Sequence, residues 1–425
     1  MDSKSLFKNI SLFTFFNVLN SAIPFLLLPF LTVYLSPEDY GIVDIFYNIT
    51  LLATPIVGLS IVQSVSRYYF EDVDLPRFVT TVFMVLLRIG SLTILIFFIV
   101  SFLVYDLLLA YGFPPVLLAF AVIYTLFSQI AEILLLLWRV SYSTVKFGIF
   151  KVMKTAMDLG LSLFLIMVFE MGWEGRIIPQ IVVALVFGVI AIYILYKKGN
   201  IQKPSIDKEY KKVALAFSVP LAFHSVGSSL LGFSDRFFIL FMLGLNNVGI
   251  YSVGYQIGMV IALLQNSFNQ AWVPYFFQKL NENEPEEKMK IVKITYLYFI
   301  LLLFLVAGFY FATPFIYQYF VGEAFDSGSG IVLWVLLGYA FLGMYKMVVN
   351  YLFYLKKTKV IAYCTFFTVL INLVLNYILI NLNGMVGAAQ ATLISFIILF
   401  IVVFIFSNKH FPMPWGLKNQ RIKGE

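Results

Sequence analysis

Several ionisable side chains interrupt long apolar stretches of this sequence. The cations are Arg88, Lys154 and Lys346, and the carboxylates are Glu132, Asp158 and Asp235. A charge inside hydrocarbon is costly unless it is paired or faces water, so charges of this kind mark binding sites and transport pathways. The pattern therefore indicates a protein that handles an ion or a charged substrate within a membrane.

All three cations, Arg88, Lys154 and Lys346, are candidates for binding the substrate, and Arg88 and Lys346 can bind its phosphate. Arg88 has no residue of opposite charge at helical spacing, so its guanidinium is expected to face a cavity. A guanidinium can bind pyrophosphate oxygens through two parallel hydrogen bonds. Lys346 shares a helix face with Asn350, and this pair can reach phosphate or sugar hydroxyls. The alternative for both cations is a long side chain that extends to the membrane interface.

The three carboxylates are candidates for coupling transport to an ion. Glu132 lies near Ser128 and Gln129 in a Leu-rich stretch, where a carboxyl is hard to ionise and can take up and release a proton. An interhelical hydrogen bond that fixes packing is the alternative. Lys154 and Asp158 stand four residues apart and can simply neutralise each other.

Asp235 is followed directly by Arg236. Adjacent positions diverge by about 100° on a helix, so we expect the two side chains to have different partners. For Asp235 this favours a structural or gating role over direct contact with a substrate.

Neutral amides recur at helical spacing, as a cavity that binds many hydroxyl groups would require. The candidates are Asn17, Asn20, Gln265 and Asn269. Each of these amides can equally serve as a hydrogen bond that holds two helices together.

The elements that position these residues are transmembrane helices. The 425 residues are 61% hydrophobic and 12% charged, whereas soluble domains have roughly 25% charged residues. About 20 apolar residues span a bilayer. The sequence predicts twelve spans, over residues 10–34, 41–66, 79–104, 115–137, 147–169, 177–196, 213–243, 249–275, 291–319, 330–351, 359–380 and 385–407. The first stretch lacks a cleavage site and should remain as a helix.

Charge between the spans predicts their orientation. Of the 29 Lys and Arg residues, 24 fall in alternate connections, four inside spans, and only Arg176 on the other side. Because basic residues accumulate on the cytoplasmic side, both termini are expected there. The net charge of +7 then describes a basic face toward anionic membrane lipid, and it requires no nucleic acid.

The sequence also repeats itself at an offset of 208 residues. Residues 35–49 align with residues 243–257, including Gly41 with Gly249. Each half holds six spans, so the halves form a parallel repeat. The expected fold is an all-α integral membrane protein of about twelve helices in two six-helix bundles, residues 1–200 and 201–425. Two such bundles suit alternating access.

Three segments resemble the Wzx-type polysaccharide flippases of the multidrug, oligosaccharidyl-lipid and polysaccharide exporter (MOP) superfamily. They are YLSPEDYGIVDIFYNITLLATPIVGLSIVQSVSRYYFE (34–71), SDRFFILFMLGLNNVGIYSVGYQI (234–257) and NGMVGAAQATLIS (383–395). The resemblance implies export of an undecaprenyl-pyrophosphate-linked oligosaccharide across the bacterial inner membrane, without a cofactor. It also implies a polysaccharide polymerase as a partner.

Other functions fit this sequence less well. Drug extruders and lipid II flippases share the superfamily fold, although the latter usually have fourteen helices. A major-facilitator carrier would carry a Gly-rich basic motif after the second span, where this chain reads RYYFEDVDLPRF. A membrane glycosyltransferase or polymerase usually has a large periplasmic loop, but every predicted far-side loop here has about 12 residues or fewer. The sequence therefore favours a transporter over an enzyme.

Overall fold

The computed structural model describes residues 16, 23, 25–282 and 284–416. This part of the chain is helical and contains no strand. We number its α-helices α1 Phe25–Tyr34, α2 Pro37–Val57, α3 Val62–Tyr68, α4 Leu75–Leu103, α5 Tyr105–Ala110, α6 Leu117–Val140, α7 Thr144–Phe169, α8 Trp173–Lys197, α9 Lys208–Leu243, α10 Leu245–Gly258, α11 Val260–Glu282, α12 Pro285–Phe320, α13 Ser329–Tyr354 and α14 Thr358–His410. A short 3₁₀ helix, Glu323–Gly328, precedes α13.

Ten candidate membrane spans are present in the described residues. One of them, α14, has 53 residues and bends at Gly384, so it supplies two crossings. Within the described residues, α1 represents the first predicted span. With these two adjustments, the prediction of an all-α membrane protein with about twelve spans is confirmed.

The helices of the two halves begin at matching positions. α2, α4 and α7 begin at Pro37, Leu75 and Thr144, and α10, α12 and α14 begin 208, 210 and 214 residues later. In both halves a break interrupts the first helix of this series and a further helix follows it, α3 after α2 and α11 after α10. The repeat seen in the sequence is therefore a repeat of helices.

The chain forms two compact units. Unit 1 comprises Met1–Phe233 and Gly244–Gly249, and unit 2 comprises Ser234–Leu243 and Ile250–Glu425. Both α9 and α10 contribute residues to each unit. The predicted boundary near residue 200 between two six-helix bundles stays a prediction.

Local signals explain where the helices begin and end. Ser36 caps α2 by accepting a hydrogen bond from the backbone N–H of Asp39, and the Asp39 carboxylate accepts one from the Ser36 backbone N–H. Asp39 also accepts a hydrogen bond from the Trp173 backbone N–H at the start of α8. α9 ends at Leu243, as predicted, because Gly244 has a φ of 86°. The helix resumes at Leu245, earlier than the predicted Gly249.

The core of unit 1 is built from α2, α3, α4, α6, α7, α8 and the start of α9 around residues such as Leu86, Ile133 and Phe187. The segment between α8 and α9 docks on the start of α4. The Asp207 carboxylate pairs with the Arg77 guanidinium at 2.7 Å, and the Tyr210 hydroxyl accepts a hydrogen bond from the Asp74 backbone N–H.

Candidate functional site

The four helices α2, α6, α7 and α8 of unit 1 bring ionisable residues together. Arg176, in the first turn of α8, binds Asp158 of α7 through two hydrogen bonds of 2.8 and 3.3 Å. The same guanidinium donates to Ser162 at 2.8 Å. Asp158 is therefore ion-paired with Arg176, whereas the sequence suggested neutralisation by Lys154. Arg176, predicted to lie in a far-side loop, belongs to a helix.

Lys154 and Glu132 lie further along the same helices. The Lys154 ammonium group donates to the Ser128 hydroxyl of α6 at 3.4 Å. Glu132, one turn beyond Ser128, is half-buried and lies in the field of Arg139, Lys151 and Lys154. No ion pair within 4 Å involves Glu132 among the residues that the structure describes. It is thus a carboxylate surrounded by cations but bound directly to none of them.

A further acidic residue of this unit, Asp44, was not among the candidates from the sequence. Asp44 of α2 accepts a hydrogen bond from the Asn48 amide at 2.8 Å. The Asp44 carboxylate and the Arg176 guanidinium both lie near the Tyr40 hydroxyl. Asp44 lies inside the predicted span 41–66, so the rule that identified Glu132 would have identified it as well.

Arg88 is exposed on the surface of unit 1, near the middle of α4. It lies 13 residues after Leu75, about 20 Å along the helix. Within residues 25–282 and 284–416, no ion pair or hydrogen bond of its side chain is present. A position this far from either end of α4 fits a cavity better than an interface, and phosphate binding by Arg88 stays a prediction.

Unit 2 buries an ion pair within α9. The Arg236 guanidinium contacts the Asp235 carboxylate at 2.8 Å, and both side chains are almost completely buried. The prediction that these neighbours have different partners was wrong, because the long arginine side chain folds back and cancels the angular separation. Tyr251 donates to Asp235, and the Arg236 guanidinium lies 3.8 Å from the centre of the Tyr255 ring.

The amide and lysine candidates of unit 2 lie on two neighbouring helices, α11 and α13. The Gln265 amide nitrogen donates to the Tyr339 carbonyl at 3.2 Å, and Lys346 donates to Asn266. Asn269 belongs to α11 and Asn350 to α13. The structure thus collects Gln265, Asn269, Lys346 and Asn350 in one region of unit 2. Asn17 and Asn20 lie outside the described residues.

Aromatic residues adjoin these amides and were not among the predicted candidates. Trp272 follows Asn269 by three residues on α11, and Phe268 stacks on Tyr298 of α12 with ring centroids 4.4 Å apart. Their spacing along α11 was visible in the sequence. Their packing could not be predicted, because an aromatic residue in a span can contact lipid as well as other helices.

Two protein-family models match this chain. A family model described as polysaccharide biosynthesis protein matches residues 6–280, more than half of the chain. The chain belongs to the polysaccharide biosynthesis protein family. A second family model, MatE, matches residues 220–378. The resemblance to a polysaccharide biosynthesis family that was found in the sequence is thereby confirmed.

The similar proteins align with nearly the whole length of this chain. A relative from Haemophilus influenzae, named an uncharacterized membrane protein, is 24% identical over 378 residues, which cover 87% of this chain and 89% of the relative. A multidrug resistance MATE family transporter of the MOP superfamily, in an inward-facing conformation, has a TM-score of 0.66 at 15% identity and covers 90% of this chain and 93% of its own. The lipid II flippase MurJ, in an inward closed conformation, has a TM-score of 0.66 at 18% identity and covers 96% and 87%. At these identities the two structures show a shared fold.

Proposed function

We propose that this protein is a flippase for a lipid-linked oligosaccharide, in which the lipid is undecaprenyl pyrophosphate. The observation that carries the proposal is the match to the polysaccharide biosynthesis protein family over residues 6–280. The substrate would move from the cytoplasmic to the periplasmic leaflet of a bacterial inner membrane, with both termini of the protein in the cytoplasm. A polysaccharide polymerase would then use the flipped unit.

The chemistry of the substrate fits the polar residues inside the spans. A pyrophosphate requires cations, for which Arg88 on unit 1 and Lys346 and Lys154 are the candidates. The sugar requires neutral donors and acceptors, which the amides of α11 and α13 offer. The polyprenyl chain is as apolar as the bilayer and can remain in it, so only the polar head has to cross through the protein.

Of the three candidate carboxylates, we assign ion coupling to Glu132 because of the partners that each carboxylate has. Asp158 is held by Arg176 and Asp235 by Arg236, so each already has a compensating charge in direct contact. Glu132 has only nearby cations, and protonation of its carboxyl breaks no ion pair. We therefore place proton or sodium exchange at Glu132 and a structural role at Asp158 and Asp235.

Deletion of the gene in its source organism tests the function. Loss of a flippase should leave lipid-linked oligosaccharide in the cytoplasmic leaflet and reduce surface polysaccharide, and a plasmid copy should reverse both effects. Unchanged surface polysaccharide together with increased sensitivity to lipophilic cations would instead show a drug exporter.

A drug or cation exporter is the second candidate, because the MatE family model matches residues 220–378 and a MATE transporter shares the fold. The likeness to MurJ raises a lipid II flippase as a variant of the first candidate. No enzymatic activity is proposed, since the solved structures that share the fold are named as a transporter and a flippase.

A further inference from the structure

Five polar side-chain atoms are buried along one seam of unit 2 without a hydrogen-bond partner among the described residues. They are Gln265 Oε1, Asn269 Oδ1 and Trp272 Nε1 on α11, and Asn350 Nδ2 and the Tyr351 hydroxyl on α13. Buried polar atoms in folded proteins are almost always hydrogen-bonded, because an unpaired one loses its interaction with water and gains nothing. A group of five on two neighbouring helices therefore needs a specific explanation.

The seam has a defined shape. Gln265, Asn269 and Trp272 recur at spacings of four and three residues, so they form one row about 10 Å long on α11. The row faces α13, because the Gln265 amide nitrogen donates to a carbonyl of α13 at 3.2 Å. At one end of the seam the Tyr351 ring packs against Phe276 with centroids 4.8 Å apart.

Burial along the seam is nearly complete for four of the five residues that carry the unpaired atoms, and the fifth, Asn269, is half-buried. Gln265 and Tyr351 are each 1% exposed, Asn350 is 4% exposed and Trp272 is 5% exposed. Asn350 makes no side-chain hydrogen bond at all within the described part of the chain. A side chain that served only to hold α11 and α13 together would be expected to bond across the seam.

The kinds of unpaired atoms restrict the ligand. Two are acceptors, the Gln265 and Asn269 oxygens, and two are donors, the Trp272 and Asn350 nitrogens, while the Tyr351 hydroxyl can be either. A phosphate or other anion needs donors, and a metal ion needs acceptors. A hydroxyl group both donates and accepts, so a row of mixed atoms suits a chain of hydroxyl groups.

We infer that the seam between α11 and α13 is the subsite that binds the sugar part of the substrate. The inference rests on the proposed function and makes it more specific: unit 2 recognises neutral hydroxyl groups through Gln265, Asn269, Trp272 and Asn350. Lys346 lies one turn from Asn350 on α13, where its ammonium group can meet the phosphate end of the same ligand. The ligand enters when α11 and α13 move apart.

A stability measurement separates this role from packing. Replacement of Asn350 by Leu removes an unpaired polar group, so Asn350→Leu should melt at the same temperature as the wild type or higher. The matched control is Asn372→Leu in the same unit, because the Asn372 amide accepts from Ser234 and donates to Ser395, both at 3.1 Å. The control should melt lower. A comparable loss of stability in Asn350→Leu would overturn the inference, since it would show that Asn350 holds the helices together.

A binding measurement on the full-length protein in nanodiscs tests the ligand itself. The probes are lipid-linked oligosaccharide extracted from membranes of the source organism and the same polyprenyl pyrophosphate after its sugars have been removed. The wild type should bind the sugar-bearing lipid more tightly. Asn350→Leu should weaken that binding about tenfold, as expected for one lost hydrogen bond, and should bind the bare lipid as the wild type does.

Each other outcome of this experiment counts against the inference. Equal affinity of the wild type for both lipids would show that the sugar makes no contact, while the proposed flippase function would survive. Equal weakening of both lipids by Asn350→Leu would assign the seam to the phosphate, and no change with either would mean that the seam holds water only. If the wild type binds neither lipid, the proposed function itself fails.

Discussion

Gly249 allows the closest backbone approach in unit 1, and its replacement by Ala is a sharp test of the helix arrangement. A Cβ atom added at Gly249 would lie 1.9 Å from the Pro37 carbonyl oxygen of α2. The contact is matched at Gly41, 208 residues earlier, where an added Cβ would lie 2.4 Å from the Leu245 carbonyl oxygen. The repeat therefore places two glycines in equivalent roles, each against the first residue of the other helix.

The size of the effect follows from the distance. An ordinary contact of a Cβ atom begins at 3.4 Å, so the first turns of α2 and α10 would have to separate by 1.5 Å. The obstacle is a backbone carbonyl, which cannot rotate away as a side chain can. Overpacking of this kind costs about 1–3 kcal/mol, and we expect Gly249→Ala to lie at the upper end, about 3 kcal/mol. For a unit of this size that corresponds to a fall in melting temperature of roughly 6–12 °C.

Thermal unfolding of the purified protein measures this directly. The matched control is Gly160→Ala, because Gly160 is exposed on α7 and an added Cβ would have no neighbour within 4 Å. The control should melt no lower than the wild type, since Ala favours a helix over Gly by about 0.5–1 kcal/mol. If Gly249→Ala melts as the control does, α2 and α10 do not approach each other as described.

Four further predictions concern the proposed mechanism, the segment between α8 and α9 and the topology. Arg88→Lys should retain part of the flipping activity and Arg88→Ala should lose it, because Lys keeps the charge but not the two parallel hydrogen bonds; full activity of the Ala variant at normal protein level would exclude phosphate binding by Arg88. Glu132→Gln should abolish stimulation of transport by a proton or sodium gradient while passive exchange remains, and unchanged stimulation in proteoliposomes would remove Glu132 from the coupling mechanism. The backbone hydrogen bond from Tyr210 lowers the pKa of Asp207, so this carboxylate stabilises the docked segment between α8 and α9 at neutral pH, and the stabilisation is lost as the pH falls through the lowered pKa; hydrogen exchange of this segment, corrected for intrinsic rates, should rise as the pH falls through that pKa in the wild type and already be high at pH 7 in Asp207→Asn. A reporter fused after Lys409 should be active only in its cytoplasmic form, and a periplasmic signal would contradict the predicted orientation.

The sequence was sufficient to predict the helices because each span must satisfy its backbone hydrogen bonds internally. Hydropathy alone therefore located the spans, and Gly244 marked the end of α9 at Leu243. The long helix α14 was predicted as two spans, 359–380 and 385–407. Gly384, with a φ of 58°, is the point where this helix bends, and it lies in the predicted gap between the two spans.

Side-chain partners were harder to predict than helices. The sequence suggested that Asp158 pairs with Lys154, because the two lie four residues apart on one helix. Its partner in the structure is Arg176, which belongs to the next helix. Asp235 and Arg236 were separated by helical geometry and nevertheless bind each other. Spacing along one helix gives the direction in which a Cβ atom points, whereas the partner of a long side chain depends on neighbouring helices that the spacing does not describe.

The candidate sites differ in the same way. Gln265, Asn269, Lys346 and Asn350 could be named from the sequence because amides and lysines are rare within spans. The unpaired state of the Asn350 and Trp272 nitrogens is a property of the packing of α11 on α13 and required the structure. Because their polar atoms are unpaired, we expect these amides to bind a ligand rather than to hold helices together.

Transbilayer movement of the substrate in proteoliposomes is the most direct test of the central claim. Purified protein would be reconstituted with labelled undecaprenyl-pyrophosphate-linked oligosaccharide, and an impermeant glycosidase outside the vesicles would report the sugar that reaches the outer leaflet. We predict that sugar initially in the inner leaflet becomes accessible at a rate that depends on the amount of protein. Accessibility limited to the initial outer-leaflet fraction, as in protein-free vesicles, would contradict the claim.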